Sequence, residues 1–386
     1  MLRGVTPLGQ AGSARFSAHE ARTPPVAVLA QPPARLDLAT LPTPVERAPW
    51  LDAPGAAVYV KRDDQTSRLY GGGKVRKLEW LLANPPYDDR RPIVSVGGIG
   101  SHHLVALALH LQAQGRELHA WVFDQVPTAH TLDDLALLLS TGAKLWPVPT
   151  RPALPLAWLA YRTWARPEQA GVYMPPGGTT GLGSLGFVEA GLELAQQVKE
   201  GVLPAPQALY VTGGTCGSCC GLAIGLALAG LPVRIRVVSA LERLYLGTYL
   251  LRRTLNQVFA ALVKAGLQPE LAALGPEGLL ARAGVTWSID HSQVGSGYAV
   301  PTMAGEEAVA LAAGGGLALE TTYTGKCLAA LRSDLAAGAV SGPVLFWDTH
   351  GATDLRPHIV EGWEARVPMA LRRRLIRAGA ALPAAT

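Results

Sequence analysis

Residues 56–82 read AAVYVKRDDQTSRLYGGGKVRKLEWLL, and this stretch decides the fold class. It opens with a short apolar run of the kind that forms a strand. Three glycines follow at residues 71–73, and the next residues carry leucines at helical spacing. The stretch therefore predicts a strand, a glycine turn and a helix, in that order.

The same order recurs along most of the chain, which is the pattern of parallel sheets with crossover helices. A long helical region is also predicted from about Leu244 to Ala283. We therefore predict the α/β fold class. The other predicted strands are residues 92–98, 117–123, 144–149, 207–214, 233–241 and 342–351.

Three of these strands end in glycine-containing turns, at residues 95–103, 210–221 and 345–351. In open α/β sheets, ligands bind beyond the carboxyl ends of the strands. The three turns are therefore predicted to contribute to one site.

Composition limits the class of protein. A chain of 386 residues with 49% hydrophobic and 16% charged residues predicts a globular protein of two lobes. The net charge of +5 includes one cluster, residues 372–374, which is interpreted as a solvated helix face because no stacking aromatics accompany it. Neither a nucleic-acid partner nor a membrane partner is expected.

The sequence also leads to expectations about cellular location and about metal binding by cysteines. No apolar run reaches the length of about 18 residues that crosses a bilayer, so a cytoplasmic protein is expected. Residues 1–35 are interpreted as an ill-ordered extension, although they are Arg-rich like a transit peptide. The single C-x-x-C pair, Cys216 and Cys219, has no second pair to complete a zinc site, so no metal is expected.

Several familiar motifs are present only in part. Residues 181–186 match G-x-G-x-x-G, but they do not follow a strand as a dinucleotide-binding loop requires. Gly73 and Lys74 resemble the end of a P-loop, but Val75 stands where Ser or Thr is needed. No G-x-S-x-G hydrolase elbow occurs.

Lys74 is the first candidate for chemistry. It shares a predicted helix face with Leu78, Leu81 and Leu82, because positions i, i+4, i+7 and i+8 coincide on a helix. Burial there would lower its pKa, as a Schiff-base amine requires. The alternative is a snorkelling lysine, which is the interpretation given to Lys77.

The second candidate is the glycine-rich loop at residues 214–221, between a predicted strand and a predicted helix. Its backbone N–H groups, with the hydroxyls of Thr215 or Ser218, would bind a dianionic phosphate at the helix N-terminus. The loop carries no neighbouring lysine in the sequence, which favours a permanently held cofactor phosphate over a nucleotide. The alternative is a plain tight turn.

These residues together resemble the fold-type-II, tryptophan-synthase-β-like pyridoxal-phosphate enzymes, and within them the 1-aminocyclopropane-1-carboxylate deaminase and D-cysteine desulfhydrase group. VKRDDQTSRLYGGGKVRKLEWLL is similar to that group's K-R-[DE]-D…GGNK-x-R-K-L-E-x-L block. Four further blocks match in order from about Val58 to Leu355: SVGGIGSHHLVALAL, YMPPGGTTGLGSLGFVEA, ETTYTGKCLAAL and VLFWDTHG.

The resemblance implies a role for each matching residue. Lys74 would hold pyridoxal phosphate covalently, and Ser101 would contact the substrate carboxylate. Tyr298 and Tyr323 would line the substrate side. The remaining cofactor-binding residues implied by the resemblance are His102, Gly214, Thr215, Cys216, Gly217, Ser218, Thr324 and Thr349.

The chain departs from the group's pattern around the cofactor ring. Gly73 replaces the asparagine of GGNK, and Gly100 and His102 replace residues of the block Q-S-N-H. His102 would donate a hydrogen bond to the cofactor in place of the missing asparagine. Asp348 and His350 alter the block H-[TL]-GG.

The resemblance also implies a two-domain, three-layer parallel-sheet fold and a homodimer. A larger cofactor domain would comprise residues 36–84 and 205–386, and a smaller inserted domain residues 85–204. The implied reaction is β-elimination from a small amino acid, giving a 2-oxo acid and ammonia. Hydroxyls at Thr324 and Thr349 favour a D-cysteine desulfhydrase-like substrate; the alternatives are the aminocyclopropane-carboxylate deaminase and a non-catalytic cofactor-binding protein.

Overall fold

A computed structural model describes residues 29–148, 150, 153–164, 171–351, 353–380 and 382. The described residues fall into two compact units. The six-strand unit comprises residues 29–85 and 175–354, and the four-strand unit comprises residues 86–174 and 355–382. Residues 1–28 of the predicted extension lie outside the described residues.

The sheet of the six-strand unit has the order β1-β2-β10-β7-β8-β9, and β1 pairs antiparallel to β2 while every other pair is parallel. The carboxyl ends of the neighbouring strands β7 and β10 therefore meet at one edge of the sheet. Both of these strands lead into predicted glycine turns. The strands are β1 (Val45–Arg47), β2 (Ala56–Arg62), β7 (Ala208–Gly213), β8 (Val233–Ser239), β9 (Val285–Asp290) and β10 (Gly342–Asp348).

Helices cover both faces of this sheet, because alternate strand residues point to opposite sides. Leu209 and Val211 of β7 belong to one apolar core, whereas Ala208 and Tyr210 belong to another. The result is a three-layer α/β/α unit, as predicted. Its helices are α1 (Lys74–Leu81), α5 (Gly181–Lys199), α6 (Gly217–Leu228), α7 (Thr248–Lys264), α8 (Pro269–Ala272), α9 (Gly275–Ala283), α10 (Met303–Gly314) and α11 (Thr324–Ala336).

The four-strand unit has a parallel sheet in the order β5-β4-β3-β6. Its β3 has six buried residues in a row, as expected for a strand covered on both faces. The strands are β3 (Ile93–Gly98), β4 (Leu118–Phe123), β5 (Lys144–Val148) and β6 (Val172–Met174), and the helices are α2 (His102–Ala113), α3 (Ala129–Ser140), α4 (Leu154–Trp164) and α12 (Met369–Arg377).

The α/β class and the strands predicted from the sequence are confirmed. The long helical region from Leu244 to Ala283 is instead three helices, because glycine and proline interrupt it. Gly266 and Gly275 both have positive φ, and Pro269 opens the second helix. None of the helices in the described ranges combines the length and apolarity of a bilayer-spanning segment.

The borders of the two units differ from the predicted domains, because residues 175–204 lie in the six-strand unit. Here α5 packs directly against two helices of that unit. A Cβ on Gly186 would lie 1.9 Å from the Arg76 carbonyl oxygen, and a Cβ on Gly225 would lie 2.1 Å from that of Val188. Only glycine permits backbones to approach this closely.

The last described segment, residues 355–382, lies in the four-strand unit, whereas the prediction assigned it to the larger domain. Arg374 of α12 donates to Asp124 at 2.6 Å, and Arg366 donates to the Leu139 carbonyl oxygen at 3.4 Å. The prediction of a solvated arginine face is therefore wrong for two residues: Arg372 is buried and Arg374 is ion-paired.

The predicted extension is also shorter than expected. Ala30 and Gln31 donate backbone hydrogen bonds to Gly266 and Ala265 at 3.1 and 3.0 Å. Arg35 forms an ion pair with Glu189. Residues 29–35 are thus part of the six-strand unit, because their backbone groups find partners at the end of α7.

Candidate functional site

Lys74 is the first residue of α1 and follows the glycine turn. Burial lowers the pKa of its amine, and the negative charge of Glu320 opposes that shift only in part. The Lys74 side chain makes no hydrogen bond to any residue that the structure describes. A lysine with a lowered pKa and no committed partner is an amine suited to covalent bond formation.

The glycine turn before Lys74 is tied to the end of β10. The Gly73 N–H donates to the Thr349 carbonyl oxygen at 3.1 Å. Gly72 has φ of +92°, and a Cβ there would lie 2.7 Å from the same oxygen. A Cβ on Gly73 would lie 2.7 Å from the ring of Phe187. Phe187 thus occupies the space that a side chain at position 73 would need, which gives this departure from the family pattern a local cause.

The glycine-rich loop runs from the end of β7 at Gly213 to the start of α6 at Gly217. Cys216 precedes the helix in a left-handed conformation with φ of 64°, and its side chain makes no capping hydrogen bond. The first N–H groups of α6 have no partner within the helix and are available to an anion. Ser218, the second residue of α6, is only partly buried.

Lys77 corrects two expectations from the sequence. It is 2% exposed instead of snorkelling, and its Nζ donates to the Gly177 carbonyl oxygen at 3.2 Å and to Thr179 Oγ1 at 3.1 Å. A Cβ on Gly217 would lie 2.7 Å from Lys77 Nζ. The loop therefore has a neighbouring lysine after all, one that α1 brings to it through the fold.

Hydroxyl groups complete this pocket at the start of α6. Thr179 Oγ1 and Thr215 Oγ1 are 2.6 Å apart. Ser184 Oγ is buried without a hydrogen-bond partner among the described residues, and it lies 2.9 Å from the Cβ position of Gly217. An ammonium, three hydroxyls and helix N–H groups around a residue without a side chain suit a dianionic phosphate.

The two predicted tyrosines meet in the six-strand unit. The hydroxyl oxygens of Tyr298 and Tyr323 are 2.5 Å apart, and the two rings pack edge to face. Tyr323 lies beside the glycine-rich loop, since a Cβ on Gly214 would be 3.8 Å from the Tyr323 ring. Its carbonyl oxygen accepts from Thr212 Oγ1 at 3.3 Å. A hydroxyl pair of this kind can pass a proton from one oxygen to the other.

Thr324 opens α11 and is buried beside a carboxylate that the sequence prediction missed. Glu320 accepts hydrogen bonds from the backbone N–H groups of Thr322, Tyr323 and Thr324 at 2.6, 2.9 and 2.8 Å. Thr324 Oγ1 lies 3.2 Å from the same carboxylate. Glu320 therefore stabilises the N-terminus of α11. The neutral Thr324 hydroxyl accepts from the Glu320 N–H at 3.2 Å and donates to the Glu320 carboxylate.

Thr349 follows β10 and is only partly buried, whereas its neighbour Asp348 is fully buried. Asp348 accepts from the His350 N–H at 3.0 Å. Burial raises the pKa of the Asp348 carboxyl well above its ordinary value, and the neighbouring charge of Asp64 adds to this shift. The strand end thus disfavours negative charge beside Thr349.

Ser101 caps α2 in the four-strand unit. Its Oγ accepts from the Leu104 N–H at 3.4 Å, which leaves the first N–H groups of the helix available to an anion. A Cβ on Gly97 would lie 2.5 Å from Ser101 Oγ. The Gly100 N–H is held by Gln125 Oε1 at 2.7 Å. This geometry supports the predicted role of Ser101 towards a carboxylate.

His102 is the next residue and the first of α2. Its Nε2 lies 2.9 Å from Nε2 of His130 in α3. One ring nitrogen of His102 is thus engaged within the four-strand unit, and its predicted hydrogen bond to the cofactor stays a prediction.

Most of the predicted site residues lie in the six-strand unit, where their elements bring them together. Ser101 and His102 lie in the other unit. The sequence prediction missed Lys77, Thr179, Ser184 and Glu320. The glycine pair before Thr179 and the carboxylate three residues before Tyr323 were the available signals, and neither indicates a spatial partner by itself.

Comparisons with known proteins agree with this geometry. The family model described as pyridoxal-phosphate dependent enzyme matches residues 36–349. A D-cysteine desulfhydrase of Salmonella paratyphi A is 33% identical over 340 residues, covering 84% of this chain and 97% of that protein. The fold of a homologue of ACC deaminase is similar, with a TM-score of 0.68, 21% identity, and coverage of 87% and 97%. O-ureido-L-serine synthase has a TM-score of 0.53, with 17% identity and coverage of 83% and 94%.

The family model spans more than half of the chain and includes Lys74, the phosphate loop and both threonines. The residues around Gly217 also fit the phosphate of such a cofactor on their own geometry. The chain is therefore a member of the pyridoxal-phosphate dependent enzyme family, and its cofactor is pyridoxal phosphate.

Proposed function

We propose that the enzyme catalyses β-elimination from a small amino acid with a good leaving group, D-cysteine or a close relative, and releases a 2-oxo acid and ammonia. The observation that carries this proposal is the 33% identity to a D-cysteine desulfhydrase over 97% of that protein. The similarity therefore covers a whole enzyme and not a shared domain alone.

Two lysines would hold the cofactor, one through a covalent bond and the other through the phosphate. Lys74 would form the covalent link, because its amine has a lowered pKa and no hydrogen-bond partner among the described residues. Lys77, Thr179 and Thr215 would bind the phosphate at the start of α6. Pyridoxal phosphate, when bound, supplies the electron sink that stabilises negative charge at the substrate α-carbon.

Lys74 would also act as the base. When it is not linked to the cofactor, its amine, whose pKa burial lowers, would take the α-proton of the substrate. The Tyr298 and Tyr323 hydroxyls, 2.5 Å apart, would donate a proton towards the departing group on the β-carbon. Ser101 and the N-terminal N–H groups of α2 would orient the substrate carboxylate.

The neutral hydroxyl of Thr324 supports a substrate with a good leaving group. A neutral hydroxyl cannot hold a proton on a ring nitrogen as a carboxylate can, so it supports a weaker electron sink. Glu320 is the nearby carboxylate, but three backbone N–H groups already bind it. A weaker sink suffices to expel thiolate and is less suited to opening a cyclopropane ring.

Aminocyclopropane-carboxylate deamination is the second candidate, because a solved ACC deaminase homologue shares the fold over 97% of its length. The third is a protein that binds the cofactor without turnover, which the substitutions at Gly73, Gly100 and His102 favour. From the resemblance, we also propose that the enzyme is a cytoplasmic homodimer. Light scattering of the purified protein tests the dimer.

The deciding experiment is a panel of D- and L-amino acids and aminocyclopropane carboxylate, scored for ammonia and 2-oxo acid. We expect D-cysteine to be among the best substrates and the Lys74→Ala variant to be inactive. If the wild type prefers aminocyclopropane carboxylate, deamination of that substrate replaces β-elimination from D-cysteine as the proposed function. A bound cofactor whose absorption spectrum does not change with any amino acid would favour the third.

A pair of substitutions tests the charge argument. Thr324→Glu with Thr349→Leu should move the preference towards the cyclic substrate, since a carboxylate favours a protonated ring. Thr324 Oγ1 lies 3.2 Å from Glu320 Oε1, so a glutamate at position 324 would add a second carboxyl beside Glu320. Thr324→Gln with Thr349→Leu is the uncharged control. An equal shift in both double variants would show that shape, and not charge, sets the preference.

A further inference from the structure

Three side chains of the four-strand unit converge near the N-terminus of α2. His102 Nε2 and His130 Nε2 are 2.9 Å apart, and Asp134 Oδ2 lies 3.7 Å from the first and 3.6 Å from the second. The same three atoms define all three separations. They form a small triangle of two imidazole nitrogens and one carboxylate oxygen, which are the ligand atoms that transition metals prefer.

Two helices bring these groups together. His130 and Asp134 are one turn apart on α3 and therefore share a face, while His102 is the first residue of α2. The approach depends on Gly100, since a Cβ there would lie 2.6 Å from Thr131 Cγ2. The glycine and the histidine that depart from the family pattern thus contribute to one feature.

The three atoms are spaced as the ligand atoms of a metal site are. The carboxylate oxygen lies 3.6 and 3.7 Å from the two nitrogens. A point equidistant from all three atoms would lie about 2.0 Å from each, given the separations of 2.9, 3.7 and 3.6 Å. Zinc binds histidine nitrogen at about 2.0–2.1 Å and carboxylate oxygen at about 2.0–2.2 Å. The triangle therefore has the dimensions of a metal site.

Burial also suits a metal with an open position. His102 and Asp134 are 9% and 4% exposed, which shields the ligands from competing water. The His130 side chain is 37% exposed, so an ion has a route from solvent and room for a water ligand. Three protein ligands and one open position are typical of zinc sites that bind a further ligand.

We propose that His102, His130 and Asp134 bind a divalent transition-metal ion, with zinc as the preferred ion. The ion joins the N-terminus of α2 to α3 and fixes the ring of His102, the neighbour of Ser101. Metal binding is measured without substrate, so its test is separate from the test of the proposed reaction.

Tag-free holoenzyme, stripped with a chelator, is titrated with Zn²⁺ by calorimetry and with Co²⁺ by visible absorption. We expect one equivalent to bind, with cobalt d–d bands and without a thiolate-to-cobalt charge-transfer band. His130→Ala and Asp134→Asn should each weaken binding by about tenfold or more. Asp133→Asn removes a neighbouring carboxylate from the same helix and should leave the affinity unchanged.

Circular dichroism of each variant separates loss of a ligand from loss of the fold. His130 is the safest replacement, because its side chain is partly exposed. Absence of stoichiometric binding to the wild type would overturn the proposal. Binding by His130→Ala with unchanged affinity would also overturn it, since the ion would then lie on other groups, such as the cysteines at 216, 219 and 220.

Discussion

Lys74 and Lys77 lie one turn apart on α1, yet their surroundings differ. Lys74 has no hydrogen bond to a described residue, whereas Lys77 donates to Gly177 and Thr179. We propose that the first reacts with the cofactor and the second binds its phosphate. The sequence prediction of a snorkelling Lys77 is wrong, because Lys77 finds its partners about a hundred positions away; the role of Lys74 stays a prediction.

Lys74→Ala should abolish the covalent link to the cofactor while leaving the fold intact. Borohydride reduction of the wild type, followed by peptide mapping, should place the cofactor on Lys74. Lys264→Ala, at the exposed end of α7, is the control and should label as the wild type does. Attachment to any other lysine would contradict the assignment.

Phosphate binding should depend on the protonation of Lys77. Burial and the positive charge of Lys74 lower the pKa of Lys77 to about 7, so without an anion the amine loses its proton as the pH rises past 7. A dianion favours the charged form. The affinity of the cofactor-free protein for sulfate should therefore be greatest below pH 7 and fall by about tenfold per pH unit above it.

Sulfate is the suitable probe because it does not titrate in this range. Isothermal titration at pH 6, 7, 8 and 9 gives the dependence. Lys77→Met should bind sulfate weakly at every pH, with the slope removed. A slope that persists in Lys77→Met would assign the proton to another group.

At the scale of elements, the proposed phosphate site is the junction of β7 with α6, and side chains of α1 and the start of α5 surround it. Gly217 is the closest point, because its Cβ position lies within 2.9 Å of Lys77 Nζ, Ser184 Oγ and Thr179 Oγ1. A side chain there must displace flexible side-chain ends and not backbone. Folding should therefore tolerate a substitution that ligand binding does not.

Gly217→Asp should weaken cofactor retention strongly, because its carboxylate would take the position of the phosphate beside Lys77 and repel the dianion. Gly217→Ala adds bulk without charge and should have a smaller effect. Cofactor content after dialysis, measured by absorbance, compares the two variants. If Gly217→Asp and the wild type retain equal amounts of cofactor, the phosphate binds at another place.

At the scale of the molecule, a buried ion-pair network fixes α1, α5 and the end of β2 in one unit. Arg76 binds Asp63 and Glu193 at 2.7 and 2.9 Å, and Glu193 also binds Lys61 at 2.5 Å. Both cations are fully buried. The network explains why α5 belongs with residues 29–85 and not with the predicted inserted domain.

Glu193→Gln should destabilise the six-strand unit by about 3–5 kcal/mol at pH 7, because Lys61 loses its anionic partner. Burial opposes ionisation of Glu193, but Arg76 and Lys61 lower its pKa to about 2. The stabilisation is therefore complete above the ordinary glutamate pKa and is lost as the pH falls towards 2.

Urea unfolding of both proteins at pH 7 and pH 3 measures this difference, which should shrink at the lower pH. Glu200→Gln, at the exposed end of α5, is the matched control and should have little effect at either pH. If the unfolding free energies of the wild type and Glu193→Gln differ by the same amount at pH 7 and pH 3, the charge of the Glu193 carboxylate is not the cause of the difference.

The amino-acid sequence by itself determined the α/β class and seven of the ten strands that the structure describes, and it offered Lys74 and the glycine-rich loop as candidates. Each of these depends on a local pattern, namely apolar periodicity and glycine turns at strand ends. Tertiary structure decided the partners: Lys77 beside Gly217, Glu320 beside Thr324, and His102 beside His130 and Asp134. Periodicity shows which face of a helix is buried, but only packing determines which faces meet, so residues distant in the chain could not be paired beforehand.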